Sequence, residues 1–364
     1  MKVIVVLALV IAGLTAVDRF LAKTEAEELR AAARRSYDSG MRFMKSGQAA
    51  RAVDSFRNAH ALARERPEDA EYELELIAAL MAAGKSAEAD PLMESALARK
   101  PNDGQTNLIA ARLTLREDRI PEAESYYHRA VYGEWPNEAQ RRRIAARLEL
   151  THLLVEKNEH RELLAELISL EAEAAGDSAV EKRLGPLFMA AGAPSRAAIV
   201  YRALLSQDPE DAASYSGLGE AELEQGQYRA ARSAFLQASY HHPVASVESR
   251  LELLNRVTAL DPTPRQLPSI EKYTRALRIL EMARDDLQRH VAADPGVATG
   301  ETTEVIKNAA EGLANARPRL VRNEDAEHLL DLAESIWKLR LRIFGTSFSP
   351  EEDPLRLLME KLAS

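Results

Sequence analysis

The chain has 364 residues, a formal net charge of −9, no cysteine, 62 alanines and 48 leucines. Without cysteine it has no disulfide scaffold, no thiol nucleophile, no cysteine-ligated zinc or iron–sulfur site and no lipid-modified N-terminal cysteine. Its 48 basic against 57 acidic residues argue against a nucleic-acid-binding body, which carries a basic domain or stripe. With 46% hydrophobic, 29% charged and 5% aromatic residues, the composition suits a folded protein of many closely packed helices, neither disordered nor a multi-span membrane protein.

Met1 and Lys2 precede an uncharged, mostly apolar run from Val3 to Val17, followed by Asp18 and Arg19. That run is shorter than a full membrane span, which takes about twenty residues. A cleavage site needs small residues at −3 and −1, yet Ala16 is preceded by Leu14 and Ala22 by Phe20 at the −3 position. Residues 1–22 therefore read as an uncleaved signal anchor, with a signal peptide as the alternative. Lys2 holds the N-terminal side in the cytoplasm and puts the body outside it, in the periplasm. Arg19, Lys23, Arg30, Arg34 and Arg35 pull the other way under the positive-inside rule, so a cytoplasmic-facing or secreted body stays open.

Residues 23–32 read as a linker or as the start of the first helix, and from Glu25 the pattern is helical almost without interruption. A register emerges when an alanine is followed four residues later by a large residue and three further on by a small or apolar one. Ala52, Phe56 and Ala59 form the first triad; Ala89, Met93 and Ala96 the second; Ala123, Tyr127 and Ala130 the third. Ala197, Tyr201 and Leu204 continue it, and Ala231, Phe235 and Ala238 end it. The intervals 52 to 89, 89 to 123 and 197 to 231 are 37, 34 and 34 residues. The gap from 123 to 197 is 74, two units, and Leu163, Leu167 and Leu170 fill the missing triad with extra length around Trp135 and Pro136. Gly47, Gly84, Gly192 and Gly226 supply left-handed turns between helices, and Pro101, Pro209 and Pro243 stop second helices.

These units resemble tetratricopeptide repeats, a family of 34-residue helix–turn–helix units, from about Ala33 to Pro243. In the last unit Tyr215, Leu218, Gly219, Gly226, Ala231, Phe235, Ala238 and Pro243 stand at the family's positions. Gly40, Phe43, Gly47, Ala52, Phe56 and Ala59 do so in the first, and Leu184, Gly185, Phe188, Gly192, Ala197, Tyr201 and Pro209 in the fifth. Ile77, Ala111 and Thr151 replace the first-helix glycine, and Thr114 its large residue. The resemblance implies an all-α, right-handed superhelical solenoid with about six repeats over residues 33–243.

Residues 244–364 lose the period. Val247 to Leu260 reads as a helix, and a proline-rich stretch from Asp261 to Pro268 follows. Ser269 is placed to cap a long helix to about Ala292. A loop from Asp294 to Gly300 leads to helices near Thr303 to Asn315, Asn323 to Phe344 and Pro354 to Leu362. The region reads as a helical tail or cap on the last repeat, a separate bundle, or an oligomerisation element.

No catalytic or metal site emerges. Ser269 with Lys272, and Ser335 with Lys338, match the SxxK pattern of serine acyl enzymes, but the Lys-Thr-Gly partner motif is absent. His241 and His242 lack any metal-ligand spacing and sit where a helix C-terminus exposes its carbonyls. The Arg141-Arg142-Arg143 run with Arg147 reads as a solvated helix face. No cofactor, small-molecule substrate or nucleic acid is implied.

The resemblance further implies that the first helix of each repeat lines a concave protein-binding groove. Mapped here, the candidates are Arg34, Tyr37, Met41, Met44 and Lys45, then Gln105, Leu108, Arg112, Leu115 and Arg116, then Leu148 and His152, Lys182 and Met189, and finally Glu220 and Glu224. Apart from Glu71 and Glu156 this groove is locally basic up to the sixth repeat. Tyr37 and Met41 stand where chaperone-binding relatives need lysine and asparagine, which disfavours chaperone C-terminus capture. The expected protein is a non-enzymatic, membrane-tethered scaffold that holds a partner segment with acidic and apolar residues, steered by Arg112, Arg116 and Lys182. The alternative is an accessory subunit of an envelope enzyme or of a secretion or assembly complex, docking through its C-terminal helices.

Overall fold

The computed structural model describes the backbone of residues 2–64, 66, 68–297, 299–316, 323–346 and 353–363; side chains of 2–13, 323 and 353 lie outside the description. The apolar run from Val3 to Val17 falls mostly on undescribed side chains. Among the described residues, no helix is long and apolar enough to cross a membrane.

The described residues are all-α apart from one isolated bridge between Asp103 and Glu134. They form two compact units, residues 1–174 and 175–364. In the first, helices pair as α1 (Lys2–Lys45) with α2 (Ala49–Ala63), α3 (Asp69–Ala82) with α4 (Ser86–Arg99), α5 (Gly104–Arg116) with α6 (Ile120–Tyr132), and α7 (Ala139–Glu156) with α8 (His160–Glu173). The second continues with α9 (Ser178–Ala190) and α10 (Pro194–Gln207), then α11 (Ala212–Glu224) and α12 (Tyr228–His241). There follow α13 (Ala245–Leu260), α14 (Ser269–Ala293), α15 (Gly300–Ala314), α16 (Asn323–Phe344) and α17 (Asp353–Ala363). Residues 23–32 are helical throughout, because α1 runs unbroken into the first pair.

Every residue of the six register triads is buried, the Leu163, Leu167 and Leu170 set included. The packing shows why small residues recur. A Cβ on Gly40 would lie 2.6 Å from the Phe56 ring, and one on Gly219 would lie 2.8 Å from the Phe235 ring. Tyr201 is wedged between two first helices, since a Cβ on Gly185 or on Gly217 would come within 2.5 or 2.2 Å of its ring. Interiors packed this densely have no room for an added methyl group at such points.

Turn geometry repeats with the period. Gly47, Gly84, Gly192 and Gly226 have φ between 66° and 72°, and Asp118 and Asn158 take the same left-handed place, at 60° and 56°, in the two repeats without glycine. Short polar side chains tolerate that region better than others. The inserted loop before α7 is pinned rather than loose: Trp135 is buried, donates from Nε1 to the Ala130 carbonyl at 2.9 Å, and stacks where Gly104 leaves space.

Helices α13 to α17 share one hydrophobic core with the last repeat, linking Tyr228, Phe235 and Ala238 to Leu254, Leu280, Ile336 and Leu358. Their bounds follow the sequence reading closely, but the start of α14 is a correction. Pro268 occupies the N-cap position with no side-chain cap bond, and Ser269 is the first helical residue.

Replacing Gly217 by alanine is expected to lower stability by about 1–3 kcal/mol, the usual penalty for overpacking, as read from the urea-unfolding midpoint.

Candidate protein-binding groove

In unit 1 the first-helix faces of α1, α3, α5 and α7 are joined by polar contacts spaced about one repeat apart. The Tyr37 hydroxyl donates to Glu71 Oε1 at 3.0 Å. Arg142 donates to Gln105 Oε1 at 2.8 Å, and Arg112 grips both oxygens of Glu149, at 2.9 and 2.5 Å. An open cavity of about 390 Å³ lies here, bordered by Tyr37, Met41, Glu71, Glu75, Gln105 and Arg142.

The sequence-derived residues divide by environment. Tyr37 and Leu108 are largely buried; Tyr37 packs against Phe56 and Tyr72 with ring centroids 5.7 and 4.8 Å away. Arg34 lies over the Tyr37 ring and pairs with Asp38 at 3.2 Å. Met41 borders the cavity, while Lys45 and His152 are exposed. Arg116 donates to the Met81 carbonyl at 2.5 Å. In unit 2, Lys182 is exposed and Glu220 accepts from Arg250 at 2.9 Å. Glu71, Glu75 and Glu149 thus make the unit 1 groove mixed in charge rather than uniformly basic. The sequence reading missed Glu75 and Glu149, although Glu149 follows Arg112 by 37 residues, about one repeat, and opposite charges at that spacing are the signal.

Glu75 is among the groups this environment perturbs. Burial and the neighbouring Glu71 carboxylate raise its pKa, against the pull of Arg112 and Arg142. Tyr37 and Tyr127 hydroxyls are likewise pushed up, by burial and by Glu71 and Glu149 respectively.

The arginine run on α7 does not form one solvated face. Arg147 is 1% exposed. It donates to Glu166 Oε2 at 2.7 Å and Glu173 Oε1 at 3.0 Å, and lies over the Tyr132 ring. A guanidinium that deep needs both carboxylates, because an unpaired buried charge is strongly disfavoured. The SxxK lysines are similarly engaged, Lys338 with Glu334 at 2.6 Å and Lys272 with Glu327 at 3.5 Å. His241 stacks on Tyr215, with centroids 5.7 Å apart and planes at 5°.

Residues 74–139 and 182–243 match the model of a tetratricopeptide repeat family. These segments are tetratricopeptide repeats. No curated protein matches the chain. Among solved structures, that of PilW, a widely conserved type IV pilus biogenesis factor, is 18% identical, with a TM-score of 0.41, over 61% of this chain and 98% of that one. The TPR2AB domain of yeast Sti1, in its pHSP90 complex, is 15% identical over 85% of this chain and 99% of that one, with a TM-score of 0.28. The TPR domain of P58(IPK) is 14% identical over 91% and 97%, with a TM-score of 0.31. At such identities and TM-scores these likenesses assign no role to this chain.

Two outcomes test this geometry. Arg147→Met is expected to cost about 3–5 kcal/mol by stranding Glu166, and Arg147→Met with Glu166→Leu to recover most of that loss in chemical denaturation. Because the folded state binds the Glu75 proton more tightly than the unfolded chain does, the charged carboxylate weakens the fold as pH rises. Glu75→Gln should therefore raise the melting temperature at about pH 7 and leave it nearly unchanged near pH 4.

Proposed function

We propose that this chain is a non-enzymatic interaction scaffold that binds a protein segment along the first-helix face of its tetratricopeptide repeats and is tethered to a membrane by residues 3–22. The observation that carries the reading is the unit 1 groove. Its cavity is open beside Met41, and Lys45 and His152 are exposed on α1 and α7, while Arg112 is already held in place by a partner one repeat away. A surface so organised loses little side-chain freedom when a partner arrives, which favours binding. The partner segment carries apolar residues that meet Met41 and acidic residues that meet Lys45 and the rim of Arg112 and Arg116.

Tethering is supported by the exposed face of α1. Leu14, Val17, Phe20 and Leu21, at helical spacing, are each more than half exposed. Four large, exposed apolar side chains on one helix face suit an apolar phase better than water. Together with the apolar run from Val3 and the basic Lys2, it supports a membrane tether with the body on the extracytoplasmic side. The docking alternative is weaker, since the C-terminal helices already bury their apolar faces against the last repeat.

Photo-crosslinking in intact cells tests both parts. A photoreactive residue at Met41 or His152 should capture one discrete partner, one at Ile199 should not, and Arg112→Glu with Arg116→Glu should reduce the groove products several-fold. Equal capture at all three positions overturns the groove reading. Removal of residues 2–22 should release the chain from the membrane fraction, and unchanged fractionation overturns the tether.

A further inference from the structure

The cavity of about 390 Å³ in unit 1 has walls of two kinds. Tyr37 and Met41 of α1 give an apolar side, and Glu71 and Glu75, four residues apart and so on one face of α3, give an acidic one. Most charges around it are already committed. Glu73 accepts from Arg99, and Asp103 Oδ2 caps α5 by accepting from the Thr106 backbone N–H at 2.8 Å and its hydroxyl at 2.7 Å. Glu71 accepts from the Tyr37 hydroxyl, and Lys100, which also borders the cavity, is exposed.

Glu75 is the exception. It is half-buried, and among the described residues no hydrogen bond or ion pair reaches its carboxylate. Arg112 and Arg142 attract it without reaching it, since Arg112 is held on both oxygens of Glu149 and Arg142 donates to Gln105. The arrangement works against the fold. Like charges one turn apart on a helix repel, and a carboxylate withdrawn from water without a bonded partner is disfavoured, so its pKa is raised. An unfavourable group kept at an accessible position is characteristic of a functional site, where binding rather than folding supplies the missing partner.

We propose that this cavity receives a basic side chain, lysine or arginine, from the partner segment, with its apolar stem along Tyr37 and Met41 and its charged head at Glu71 and Glu75. The proposal rests on the groove reading above and adds the residue type that sets the segment's register. Long basic side chains combine an apolar stem with a charged tip in this way, and a hydrogen bond between two charged groups is stronger than a neutral one. The Tyr37 hydroxyl holds Glu71 in place beforehand, so less freedom is lost on binding. Acidic residues of the same segment then face Lys45, Arg112 and Arg116, and the segment is of mixed charge. A wholly acidic segment leaves Glu75 unpaired and facing like charge, and is rejected.

The test selects short random peptides displayed on phage against the full chain. Those that crosslink to a photoreactive residue at Met41 are synthesised and measured on the unaltered chain by fluorescence anisotropy. Each is expected to carry a lysine or arginine whose replacement by norleucine weakens binding at least ~10-fold. Glu75→Gln should weaken the parent peptide as much and the norleucine peptide hardly at all, with a melting temperature at or above that of the unaltered chain. Loss of binding without loss of stability separates recognition from a structural role. Crosslinked peptides that need no basic residue, or whose norleucine and Glu75→Gln losses simply add, overturn the basic-residue subsite and leave the groove reading standing. A melting temperature that falls together with binding makes Glu75 structural and overturns the subsite as well. If no selected peptide crosslinks at Met41, the groove reading falls and the subsite with it.

Discussion

The close approach of paired helix backbones beneath a large side chain of the second helix is the constraint on which the rest depends. Phe56 over Gly40, Tyr201 between Gly185 and Gly217, and Phe235 over Gly219 leave no space for a Cβ. Once those contacts set the distance between helices, the second-helix alanines that flank each ring must be small, and they are fully buried. Where Ile77 replaces glycine, the facing position carries the adaptable Met93 instead of a ring, and both lie in one core. Size is exchanged between partners and the packing density is kept.

That same spacing places polar side chains of successive repeats within reach of one another. Arg112 with Glu149 and Tyr37 with Glu71 are separated by 37 and 34 residues, and they join neighbouring first helices across the groove face. A half-exposed ion pair such as Arg112 with Glu149 contributes little individually to stability. The larger effect of these contacts is to fix where charge sits on the first-helix face. Arg147 is different in kind: it is removed from water, and with Glu166 and Glu173 it ties α7 to α8. A solenoid has only nearest-neighbour contacts to hold it together, so one buried ion pair at a repeat with a leucine triad and no first-helix glycine carries weight beyond its size.

The end of the array poses the opposite problem, an apolar face with no next repeat. Helices α13 to α17 cover it through a core continuous with Phe235 and Ala238. Their polar anchors, Lys361 on Asp261 and Tyr228 on Leu357, bridge 100 and 129 residues of sequence. Stabilisation at this end is therefore long-range, whereas the repeats are stabilised locally.

The sequence by itself determined the helix pairs, because a small residue, a large one and a small or apolar one at fixed spacing can be buried together only in one helical register, and glycine or proline marks most of the breaks. It also put the candidate groove residues on first helices, which is where α1, α5, α7, α9 and α11 carry them. Tertiary structure decided what spacing cannot encode: that Tyr37 and Leu108 are largely buried, that Arg147 lies in the interior among an otherwise surface-like run, and that Arg112 is matched by Glu149. Asp118 and Asn158 as left-handed turn residues were equally hidden, since neither residue type is confined to that conformation. The seat of α17 was the least legible of all. A period reports neighbours one repeat away, and the contacts that hold this helix join residues about a hundred positions apart, where only the folded chain brings them together.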